Sequence, residues 1–130
     1  MEFLKRYANL VHWLPRVALA GIFIPHGISK FTMGQAMADG MGMPVIMIYM
    51  IGLMELTAGV CMIVGALGRD ILTRLAGLLI AMVMLGAIFM VHFPQWSFVA
   101  TEAKPMGGME FQVFIMTVAL YFLVKGNDAN

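Results

Sequence analysis

Charge is what this sequence has least of. Only 12% of its 130 residues are Asp, Glu, Lys or Arg, against roughly 25% in an ordinary soluble domain. A net charge of +1 leaves no basic face for nucleic acid, so the few cations read as topology markers instead. Cysteine is almost missing. The single Cys61 excludes an internal disulfide, and there is no C-x-x-C for thiol exchange or zinc. No H-x-x-H or E-x-x-H spacing offers a local metal site. Signatures for flavin, haem and iron–sulfur clusters are also lacking, so an electron-carrying cofactor is expected on another chain. The length is that of one domain, without internal repeats.

What is present is apolar. Such residues make up 62% of the chain, and the mean hydropathy is +0.90. Four segments stand out, at about residues 10–31, 44–67, 72–93 and 108–124. Each is near the roughly 17–25 residues a membrane-crossing helix needs. Helices are expected because lipid offers backbone amides no water to bond. The fold class is therefore an all-α bundle of four transmembrane helices. Residues 32–43 read as a Gly- and Met-rich loop, 68–71 as a tight turn and 94–107 as a longer loop. Lys5 and Arg6 precede the first segment as in a signal peptide. However, Arg16 interrupts that segment and it ends in His-Gly-x-x-Lys, not a small-residue cleavage site, which predicts an uncleaved helix.

The cations orient the bundle. Lys5, Arg6, Arg16, Arg69, Arg74 and Lys125 fall on one side, Lys30 and Lys104 on the other. Six against two predicts a multi-pass protein of the bacterial inner membrane with both termini cytoplasmic. Gly52, Gly59, Gly65 and Gly68 of the second segment suit close helix packing.

Ionisable groups inside such spans cost roughly 2.5–3.5 kcal/mol each on insertion scales, and so normally find partners or functions. His26 and Lys30, at i and i+4, share a face near the outer end of the first helix. Glu55 lies about eleven residues, or roughly 16 Å, into the second. His92 ends the third and Glu110 opens the fourth. Topology thus predicts one polar pocket in the outer half of the bundle, with Glu55 as its floor. Each residue also has a plainer reading. Lys30 can snorkel to the headgroups, His92 can be interfacial, and Glu110 can favour the positive end of its helix. Arg16 either anchors the cytoplasmic interface or reaches toward Glu55. Glu55 is hardest to set aside, because a carboxylate at that depth must be protonated or paired. A His–Lys–Glu set can hold a quinone carbonyl or a small anion and relay protons.

The fifteen methionines form a further theme. Met33, Met37, Met41, Met43 and Met47 line the first outer loop, and Met106 and Met109 flank the second. Thioethers are soft Cu(I) ligands, and methionine is equally an adaptable apolar filler.

Together these residues resemble a known family. "RVALAGIFIPHGISKF" is similar to the first helix of DoxX-type membrane proteins, and "GLMELTAGVCMIVGALGR" to the second. "MLGAIFMVHF" resembles the third-helix ending, and "GGMEF" the glutamate that opens the fourth. By that resemblance Arg16, His26, Gly27, Lys30, Gly52, Glu55, Gly59, Arg69, His92 and Glu110 occupy motif positions. The tail "KGNDAN" departs from the pattern, and a pair of membrane cysteines is missing, which argues against a disulfide relay.

The resemblance implies a four-helix membrane domain linked to redox chemistry, in the manner of a thiosulfate:quinone oxidoreductase membrane subunit. The leading expectation is a quinone-linked redox subunit. In it Glu55, His26 and His92 serve chemistry, while His26, Lys30, Glu55, His92, Glu110 and Arg16 bind the quinone. Its partners would be the lipid bilayer and either an oxidoreductase, a larger membrane complex or further copies of itself. A structural accessory subunit and a Met/His copper-handling protein are the alternatives.

Overall fold

The computed structural model describes residues 2–129. Among them there is no strand; the chain is a succession of six α-helices. A short helix α1 (Glu2–Lys5) and a 3₁₀ turn (Ala8–Leu10) lead into α2 (Trp13–Thr32), so the first long helix starts a little later than its apolar run. Arg16, Leu19, Ala20, Phe23 and Gly27 form its buried stripe at three- and four-residue spacing. After Met33 a second, shorter helix follows, α3 (Gly34–Met41). Residues 32–43 are thus largely helical and not a loop. Gln35, Ala36, Met37 and Ala38 are good helix formers, and Gln35 Nε2 donates to Asp39 Oδ1 at 2.8 Å. Gly42, with φ +63°, then ends the helix in the left-handed conformation a glycine adopts freely.

Helix α4 (Val45–Ala66) follows Pro44, whose extended conformation marks the boundary. It buries Ile48, Gly52, Glu55, Ala58, Gly59, Met62 and Gly65 along one stripe. Gly68, at φ +107° and with open space around it, makes the turn into α5 (Asp70–Ala87). Of the four glycines assigned to packing, it is the one that serves the turn instead. The last turn of this segment, Ile88–His92, is π-helical, with Phe93 N–H donating to Ile88 O at 2.8 Å. The chain finishes with α6 (Glu110–Lys125) and a 3₁₀ turn over Gly126–Ala129.

The packing order is α2 against α4, α4 against α5, and α5 against α6, with α3 laid on α4. Glycines set the closest approaches. A Cβ on Gly27 would stand 2.8 Å from Gly52 O and Leu56 N, so α2 and α4 meet backbone to backbone. Gly77 does the same for α5 on α6, where a Cβ would lie 2.6 Å from Ala119 O and Leu123 N. Small residues at such crossings let van der Waals contact and Cα–H groups do the work that the hydrophobic effect does in water. The core is a contiguous set that includes Leu19, Phe23, Ala58, Met62, Ala76, Ile80, Ile115, Ala119 and Phe122.

Large apolar side chains also cover the outside, among them Leu14, Val17, Ile46, Met50, Leu53, Leu78, Met82, Phe114 and Leu120. Water does not favour such a surface, and lipid does. Two segments, Val45–Ala66 and Asp70–His92, are long and apolar enough to cross a membrane. Helix α6 has 16 residues, and α2 carries Arg16, His26 and Lys30 within its length.

Candidate functional site

The polar residues of the bundle separate into two groups at opposite ends of α2. Arg16 and Lys30 are fourteen residues apart, or about 21 Å along the helix axis. The end with Lys30, α3 and the 94–109 segment is the loop end. The end with Arg16, the α4–α5 turn and the chain termini is the turn end.

At the loop end, Lys30 Nζ and Glu55 Oε2 form an ion pair of 2.7 Å across the α2–α4 crossing. The side chains are 15% and 5% exposed, so the pair is largely removed from solvent. The geometry follows from the same glycines that set the crossing. A Cβ on Gly52 would fall 2.9 Å from Lys30 Cβ, which means that the lysine stem runs directly over the α4 backbone. Gly52 and Glu55 are three residues apart on one face, so the stem is delivered to the carboxylate one turn on.

The other residues expected in this pocket lie elsewhere. His26 is exposed on α2, and its Nδ1 donates to Ile22 O at 2.8 Å. It sits at the margin of the buried stripe that continues from Phe23 and Gly27 to Lys30. His92, by contrast, is buried and doubly engaged. Its Nδ1 lies 2.9 Å from Gly107 O, and its Nε2 lies 2.9 Å from Gln112 Nε2. A neutral ring protonated at Nδ1 satisfies both, donating to the carbonyl and accepting from the amide. The π turn aims His92 at this position, one face round from where a regular helix would leave it.

That histidine helps to organise the 94–109 segment. Amides of Gly108, Met109 and Glu110 donate to Ser97 O, Gln95 O and Trp96 O at 2.8, 2.9 and 3.0 Å. These are amides that the start of α6 would otherwise leave open. Glu110 itself borders a separate cavity of about 450 Å³ shared with Phe98, Phe111 and Phe114. Among the described residues, no hydrogen bond or ion pair engages its carboxylate.

Arg16 belongs wholly to the turn end. It is fully buried and donates to Met62 O at 3.2 Å, Thr73 Oγ1 at 3.0 Å and Asn127 Oδ1 at 3.2 Å. Its guanidinium stands 4.6 Å over the Phe122 ring, a cation–π arrangement. Asn127 completes the set. It accepts from Thr73 Oγ1 at 2.7 Å, donates through Nδ2 to Gly65 O at 2.9 Å, and donates through its backbone amide to Asp70 Oδ1 at 2.6 Å. Arg74 closes the edge by donating to Asp70 Oδ2 and to the last carbonyls of α6, Leu123 O and Val124 O.

The structure therefore joins Lys30 to Glu55, places His26 on the surface and His92 in a loop-holding role, and puts Glu110 and Arg16 in two other surroundings. Thr73, Asn127 and Gln112 were missed. Gln112, an amide near the start of the fourth apolar span, was the signal for the last. Asn127 lay in the "KGNDAN" tail, outside the four apolar segments. Among the described residues, no group of three or more His, Cys, Asp or Glu side chains is arranged to hold a metal.

Comparison with known proteins bears on this geometry. A family model described as DoxX matches residues 12–93, which spans α2 to His92 and contains both partners of the Lys30–Glu55 pair. The protein of Bacillus subtilis (strain 168) named "Putative oxidoreductase CatD" is 30% identical over 117 residues, covering 88% of this chain and 78% of that protein. No solved structure matches.

Proposed function

This chain belongs to the DoxX family, and on that premise we propose that it is a multi-pass membrane redox protein whose Lys30–Glu55 pair receives a quinone head group. In this reading α2, α4, the Asp70–His92 segment and α6 all cross the cytoplasmic membrane of a bacterium. The six-to-two bias of cations puts both termini and the turn end in the cytoplasm. The similarity to a protein named as an oxidoreductase supports the redox part.

The observation that carries the reading is the ion pair itself. A lysine and a glutamate buried between apolar helices are costly, and an apolar pair of like volume would hold the crossing as well or better. Their presence is accounted for by a ligand that needs them. An ammonium has three donors, and Glu55 takes one at 2.7 Å. The remaining donors suit a quinone carbonyl, which accepts hydrogen bonds, or a small anion. A quinone supplies two-electron chemistry coupled to the uptake of two protons, the electrons coming from a partner oxidoreductase. Lys30 would orient the carbonyl and Glu55 would hold a proton beside it. His26, one turn back on the lipid-facing side of α2, is placed to exchange protons with the headgroup region.

The test is quinone occupancy. Protein extracted in native-lipid nanodiscs should carry quinone detectable by extraction and chromatography. Glu55→Gln and Lys30→Met should lose it while remaining folded. Undiminished occupancy in both variants would sink the reading. If the variants lost a co-purifying membrane complex and kept their quinone, the pair would serve assembly, as in a structural accessory subunit.

A further inference from the structure

The loop end holds a second constellation that the quinone reading leaves unused. Four methionines, Met41, Met43, Met90 and Met106, line one cavity of about 260 Å³ together with Gly40 and Val91. They come from three separate places: the end of α3 and the residues after it, the π turn, and the 94–109 segment. Met41, Met90 and Met106 are well exposed, at 44%, 59% and 65%. These side chains therefore lie at the protein surface and are not packed away as core filler.

The frame around them is built, not slack. Gly42 fixes the exit of α3, with its amide bonded to Asp39 O and Met43 N–H bonded to Ala38 O. Lys104 Nζ donates to Val91 O at 3.1 Å, and Gly107, next to Met106, is held by His92. The backbone on each side of the cavity is thus fixed, while three rotatable bonds per methionine let the thioethers converge.

We propose that this cavity is a thioether site for a soft monovalent cation, of the Cu(I) or Ag(I) class. Thioethers are soft donors and select such ions over Mg²⁺, Ca²⁺ or Zn²⁺. The Lys104 ammonium, bonded to Val91 O, opposes any cation here but opposes a doubly charged ion about twice as strongly as a singly charged one. Among the described residues no His, Cys, Asp or Glu cluster competes for the role. Of the loop methionines singled out in the sequence, the cavity gathers Met41, Met43 and Met106, adds Met90 from the third span, and leaves out Met33, Met37, Met47 and Met109.

The test uses the full chain in lipid nanodiscs, titrated with Ag(I) alone while the methionine methyl resonances are followed by NMR. Four of the fifteen methionines should respond together, and Met→Leu substitutions at 41, 43, 90 and 106 should assign them. In competition with a chromophoric Cu(I) chelator, Met90→Leu with Met106→Leu should weaken binding at least about tenfold, the scale on which even outer-shell changes alter metal affinity. Leucine nearly conserves volume, so the fold should persist, and Met47→Leu should leave binding unchanged. Two results would overturn the proposal: exposed methionines such as Met33 and Met50 shifting at the same Ag(I) concentration as these four, or the double variant binding as tightly as the parent.

Discussion

The two ends of α2 each bury a cation, and they treat it in opposite ways. Arg16 has donors on a backbone carbonyl, a hydroxyl and an amide, from α4, α5 and the tail, and an aromatic ring beneath it. Among the described residues Lys30 has one bond, to Glu55. Both are expensive to bury, so the difference lies in how completely each is satisfied. A cation with several donors taken up by three separate elements of the protein is a structural tie. A cation left with donors in hand can meet a ligand, which is what the proposed quinone reading uses. On that proposal the turn end is the fixed end of the bundle and the loop end the working one.

Three substitutions sharpen or break that contrast. The largest effect is expected from Arg16→Met, which removes the bonds to Met62 O, Thr73 Oγ1 and Asn127 Oδ1 at once. Unfolding free energy should fall by about 3 kcal/mol, read by denaturant titration in bicelles. A loss no larger than that of Lys30→Met would erase the distinction between the ends. Next is Gly27→Ala, whose new methyl meets Gly52 O and Leu56 N at 2.8 Å. It should cost about 2 kcal/mol and lengthen the Lys30–Glu55 distance, measurable by spin labels across α2 and α4. Full stability in that variant would mean a looser crossing than the glycines imply. The smallest is Gly42→Ala, where φ is +63° but the space is open. The expected cost is about 1 kcal/mol, with faster amide exchange confined to α3 and the α2–α4 amides unchanged.

How much of this was legible in the sequence varies with the range of the contacts. Apolar run length located the long helices, because it is a local property. Helix α3 was misread as a loop. Its glycines and methionines hid a run of helix formers, Gln35 to Ala38. That Lys30 and Glu55 belong to one polar region was legible from topology. Their direct pairing was not, because depth along the helices set Glu55 well below Lys30. His26 was not, because a four-residue step turns about 40° past a full revolution, enough to carry it off the edge of the stripe that Lys30 continues. The Arg16 set was beyond reach. Its partners lie 46, 57 and 111 residues away, and no spacing rule connects an arginine in the first helix to an asparagine in the tail.

The π turn at Ile88–His92 has one more consequence. A wide turn of this kind is a regular helix with a single residue added, and the extra residue has nowhere to go but outward. Each added residue turns everything after it by about 100°. Upstream, α5 keeps its buried stripe of Thr73, Ala76, Ile80 and Met84, and downstream His92 faces Gly107 and Gln112. One surplus residue thus serves as a swivel between a helix that must match its neighbours and a histidine that must match a loop. The same swivel presents Met90 to the surface beside Met41, Met43 and Met106.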